Sequence, residues 1–168
     1  MKQEDLSAAK GKIALGFKDL SAASNDLKSA ADDLSSTISE LERLLRNLNL
    51  RVSAWHRISR SIDDEGTVNC RHIGYANVEG KWGIALSKTT EDQQTGEVIS
   101  DDTWRFADAP LWMCADAIGH LPELIQALIA RTQETTQRLR TKNEEAKEIV
   151  AATATAAAQI VTSTRRPK

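Results

Sequence analysis

Apolar residues recur along the first third of the chain at an interval of seven. Leu6, Ile13, Leu20, Leu27, Leu34, Leu41 and Leu48 keep the count without a miss, and it runs on to Trp55 and Ile62. The companion positions, four residues on, are Lys10, Phe17, Ser24, Ala31, Ile38, Leu45 and Val52, weak at first and strong from Ile38. Spacing of this 3-4 kind predicts a helix whose stripe needs a partner. No proline interrupts residues 3 to 62. The pattern therefore predicts an N-terminal coiled-coil helix over residues 1–62, roughly 90 Å long at about 1.5 Å per residue. It should stop at "DDEG", where Gly66 can take the left-handed conformation and the acidic run opposes the helix dipole.

A β-rich head is expected over residues 63–121. "TVNCRHIGYANV" and "KWGIALSKTT" are rich in β-formers and are separated by Glu79 and Gly80, which reads as a hairpin. "EDQQTGE" predicts a second turn, leading to a third strand around "EVIS" or "TWRF". Asp108 is expected to cap a short helix that opens near Pro110, and Pro122 to start the last helix, residues 122–168. That helix repeats the 3-4 spacing through Leu121, Ile125, Leu128, Thr132, Thr135, Leu139, Lys142, Ala146, Ile149, Thr153, Ala156 and Ile160, with threonine and alanine where a self-sufficient zipper has leucine.

The expected fold is α+β: two long antiparallel coiled-coil helices flanking a small antiparallel sheet with a short helix. With residue 122 beside residue 62, the alanine-rich residues 151–158 would fall opposite residues 26–33, and small residues there allow close helix approach. The N-terminal helix would still outrun its partner. Its first heptads are expected to find another copy, making the chain a homo-oligomer.

Composition narrows the function classes. A formal net charge of -2 and a pI near 5.9 argue against bulk coating of nucleic acid but leave local basic patches open. Cys70 and Cys114 form no CxxC pair and fit a reducing compartment. With no apolar run long enough to span a bilayer and no signal-peptide core, a cytoplasmic protein with no membrane partner is expected.

Two candidate binding surfaces stand out. Arg43, Arg46, Arg57 and Arg60 would share one helix face opposite the apolar stripe, able to grip phosphates or carboxylates, or else simply pairing with Glu40, Glu42 and partner-helix acids. Trp55 would be a core knob under the head. In the head itself, His72, Tyr75, Lys81, Trp82, Trp104 and Arg105 mix flat rings with cations, which suits stacking of a base with phosphate contacts; the alternative is that the tryptophans cover the sheet's apolar face. Cys70, His72, Cys114 and His120 match no standard zinc spacing, the three histidines define no Ser/His/Asp triad, and "GYANVEGKWG" lacks a phosphate loop's lysine and serine. Neither a metal, a cofactor nor catalysis is expected.

"IGYANVEGKWGIAL" followed by "WRFADAPLWMCADAIGHLPELIQALI", about residues 72–130, resembles a module of small bacterial and phage proteins. The resemblance implies a β-hairpin plus helix, brings no catalytic residues, and is compatible with an inhibitor or sequestering protein acting on a host target. The expectation is thus an oligomeric binding protein whose head engages a partner macromolecule. The alternative is a sponge or sensor for an anionic small molecule such as a nucleotide.

Overall fold

The structure, a computed structural model, describes residues 3–164, with side chains described from 9 to 159; Leu6 and Ile160 of the two repeats lie outside the described side chains. Helix α1 (Gln3–Asn47) is followed by strands β1 (Ala54–Ile62), β2 (Thr67–Val78), β3 (Lys81–Asp92) and β4 (Val98–Arg105), a 3-10 turn (Phe106–Asp108), helix α2 (Leu111–Ile118) and helix α3 (Leu121–Thr164). The four strands form one antiparallel sheet in the order β1-β2-β3-β4. The fold class is therefore the expected α+β, with long terminal helices flanking a sheet.

The first helix is shorter than its heptads suggested. It stops at Asn47, and Asn49 then takes a φ of 48°, the left-handed conformation that asparagine tolerates after a helix end, with Arg51 following at 51°. Trp55 and Ile62, the last two beats of the sevenfold count, lie on a strand instead. A spacing of seven should put them on opposite faces of a strand, but a bulge between Arg57 and Ser59 adds one residue and returns both to the same face. The hairpin between β2 and β3 turns at Glu79 and Gly80, both at positive φ, as a two-residue turn of matching twist requires. Phe106–Asp108 form the 3-10 turn and α2 is preceded by Pro110, so Asp108 does not cap it.

One face of the sheet carries the core. Ile73 and Tyr75 of β2 and Ile84 and Leu86 of β3 alternate onto this face and meet Ile38 and Leu45 of α1, Phe106, Met113 and Ala117, and Leu124 and Leu128 of α3. Glu42 and Arg46 of α1 approach Ile84 and Trp82, so α1 runs against β3. His120, just before α3, lies against His56, and residues 127 to 131 lie against Ala54 and Trp55, so α3 runs against β1. Because β1 and β3 point the same way, the two helices cross the sheet in the same sense. Their free ends leave at opposite ends of the head.

This corrects the expected antiparallel pairing along the arms. Ile38 and Leu45 are only 3% and 6% exposed, whereas Ile13, Phe17, Leu20 and Leu27 on the same stripe are 59%, 69%, 62% and 58% exposed. Leu139, Ile149 and Val150 of α3 are equally bare. The alanines of residues 151–158 face solvent, not residues 26–33.

Glu42 is a charged residue buried at the edge of this core. Strand β4 pairs with β3 only from Ala85 onward, so the outward amide of Ile84 has no strand partner; Glu42 Oε1 accepts it at 2.8 Å while Oε2 pairs with Arg46 at 3.3 Å. Gly83 permits the approach, since a Cβ there would sit 2.7 Å from Oε1. Replacing Glu42 by Ala should cost about 1–3 kcal/mol more than replacing it by Gln, which keeps an acceptor, as measured by urea unfolding.

Candidate binding face of the sheet

The helices cover only one side of the sheet. On the other, alternation and register bring residues from all four strands into rows: Trp55–Gly74–Ala85–Arg105, then Arg57–His72–Ser87–Thr103, then Arg60–Cys70–Thr89–Asp101. The indole of Trp55 lies flat on Gly74, where a Cβ would come within 2.2 Å of its six-membered ring. The glycine makes room for the ring, and the indole remains 39% exposed. Trp55 is thus a surface platform and not a core knob. The two rows nearest it carry two guanidiniums, one imidazole and two hydroxyls but no carboxylate; Asp101 and Glu91 lie farther along the face.

The expected arginine quartet is divided. Arg43 and Arg46 stay on α1 and pair with Glu40 at 3.8 Å and Glu42 at 3.3 Å, the simple surface pairing of the two readings. Arg57 and Arg60 move to the open sheet face, where they join His72 and Arg105. The other head residues separate. Tyr75 is buried in the core, stacked on Trp82 with ring centroids 5.6 Å apart, and burial pushes its hydroxyl pKa up. Trp104 packs half-buried against the same core, and Lys81 is exposed at the hairpin tip. Tyr75 and Trp82 do share a small cleft of about 230 Å³ with Arg46, Asn49, Leu50 and Arg51.

Cys70 and His72 lie on the open face while Cys114 and His120 belong to the covered side, and among the described residues no group of three or more ligating side chains comes together. Cys114 donates to the Phe106 carbonyl at 3.3 Å, and burial raises its thiol pKa. Among the described residues no helix is long and apolar enough to cross a membrane. Comparison with protein-family models, curated proteins and solved structures finds no match for the chain.

Two further contacts went unread in the sequence. Arg71 bonds to Ser59 and Asp116 and stacks 5.3 Å over Trp112, tying α2 to the sheet, and His56 faces His120 at 5.5 Å. Only the glycine inside a strand pattern, Gly74, signalled the close approach of Trp55.

His72 is held below its usual value of 6.5 first by burial and then by Arg57, with Glu91 and Asp101 opposing. The depressed folded value means that the neutral ring contributes stability above pH 6.5, and that this contribution is lost as pH falls through the lower folded value. Replacing His72 by Gln should therefore flatten the stability profile as pH falls below about 6.5, read by thermal unfolding at each pH.

Proposed function

We propose that the chain is a non-enzymatic, self-assembling binding protein. Copies join through their helical arms, and each presents the open sheet face to an anionic partner macromolecule. The observation that carries this reading is the bare stripe of α1, at least 58% exposed at each of Ile13, Phe17, Leu20 and Leu27, on an arm that its own chain's second arm does not approach. An apolar seam of that length is normally closed by another helix. Support for the head as the binding element comes from Trp55 and the guanidiniums of Arg57, Arg60 and Arg105, which offer a flat ring and charge-assisted donors on one surface.

A second reading, sequestration of a nucleotide-like anion, is favoured by the cleft between Arg46, Arg51, Tyr75 and Trp82. Magnitudes place it second. The cleft, at about 230 Å³, is smaller than most ligand sites, and Arg46 already pairs with Glu42. One base stacked on Trp55 would gain about 1–3 kcal/mol, short of even millimolar affinity. A macromolecule can add such contacts together.

Light scattering at micromolar concentration should report a multimer, and replacing both Leu20 and Leu27 by Ala should shift it toward the monomer by several kcal/mol; a monomeric wild type refutes the assembly. Reversing Arg57 and Arg60 to Glu should change stability by no more than about 0.5 kcal/mol while weakening capture of the anionic partner, the difference shrinking as salt is added. Unchanged affinity would remove the sheet face from consideration.

A further inference from the structure

We infer that the N-terminal arm of α1 is covered by the same arm of a second copy, running antiparallel about a two-fold axis between residues 18 and 19. This deepens the proposed self-assembly by naming its partner and register. A closed two-fold dimer can join α1 to α1, α3 to α3, or, with the heads side by side, each α1 to the partner's α3, and only the first pairs the stronger seam with itself. The α1 seam is the stronger, since α3 has Thr132, Thr135, Lys142 and Thr153 at seam positions.

Direction follows from which side chains would meet. A parallel pair stacks Lys10 on Lys10 and Ser24 on Ser24. In an antiparallel pair whose facing residue numbers sum to 37, Phe17 meets Leu20, Ile13 meets Ser24, and the Lys10 stem lies along Leu27 with its ammonium free to reach water. Each arm, residues 3–30, is then covered along its length. The partner's first turn falls beside residues 31–34, at the groove of about 280 Å³ that Ala31, Leu34 and Ser35 form with Phe106, Ala109 and Leu111.

An independent sign of a close neighbour is Gly16. It sits in mid-helix, where glycine is worse than alanine by about 1 kcal/mol, and a Cβ there would meet nothing within 4 Å in its own chain. It flanks the seam next to the axis, and Ala9, Ala23 and Ala30 repeat its position at intervals of seven. Small flanking residues let two backbones approach closely, which explains a glycine that the single chain does not. Gly11, also open, lies off the seam, and nothing in the structure explains it.

The sign of two substitutions separates a close interface from a bare helix. On the full-length chain, Gly16→Ala should raise the self-dissociation constant about tenfold or more, because an added methyl group overpacks the seam. Gly11→Ala should leave it unchanged or lower it, since only helix propensity improves. If Gly16→Ala tightens association as Gly11→Ala does, the close contact is absent. Geometry is read by spin labels on single added cysteines, the two native thiols being buried. Labels at Lys18→Cys should lie close together across the axis, whereas labels at Ser29→Cys should lie about 30 Å apart along it, at about 1.5 Å per residue. Short distances at both sites would mean a parallel pair, and long distances at both would mean that the α1 arms pair with something else; either overturns the inference. Unchanged partner capture when Arg57 and Arg60 are reversed to Glu, with these distances intact, would overturn the role given to the sheet face and leave the arm pairing standing.

Discussion

The sheet covers only the last third of the apolar stripe on α1, and the exposed remainder is the constraint from which the proposed assembly follows. Ile38 and Leu45, with Leu34 and Leu41 half-buried beside them, satisfy the same 3-4 spacing by lying on β3 and the start of α3 that Ile13 to Leu27 would satisfy by facing another helix. One amphipathic pattern therefore serves two kinds of packing, helix on sheet and helix on helix. The shared sense of α1 and α3 across the sheet sends the bare parts in opposite directions. It follows that the arms project while the head closes a core of its own.

The head shows how a four-stranded sheet with one covered face handles its remaining polar surface. On the covered side Glu42 completes the β3 edge beyond the end of β4, and Arg71 ties α2 down through Ser59, Asp116 and Trp112. The free side is not a uniformly polar face: Gly74, Ala76 and Ala85 put small residues at its centre, the indole of Trp55 lies on Gly74, and guanidiniums from β1 and β4 stand on the same face. Flat rings and guanidiniums together are suited to planar, anionic partners.

Much of this was legible in the sequence, for identifiable reasons. The hairpin from Thr67 to Asp92 was readable from β-branched runs around Glu79 and Gly80, and α3 from its proline start and its 3-4 repeat. The strand β1 was concealed because Trp55 and Ile62 continued the sevenfold count, and the asparagines at 47 and 49 that end the helix are weaker signals than a glycine. That one error moved the arginine quartet apart and hid Trp55 as a surface residue. The pairing of the arms was out of reach, since helix direction across a sheet depends on strand order and connection and not on any local pattern. Of the sequence candidates, Arg57, Arg60, His72 and Arg105 share one face of the sheet, but they reach it through a register that includes a bulge.

The proposed assembly requires the two parts of α1 to be covered by different surfaces, the sheet at one end and a second copy at the other. Amide hydrogen exchange along that helix, followed as the protein is diluted, separates them directly. Covering by a second copy requires residues 13–30 to lose protection on dilution while residues 34–47, held by the sheet, keep theirs at every concentration. Protection of residues 13–30 that is strong and independent of concentration, or exchange there that is fast even in concentrated solution, would contradict it.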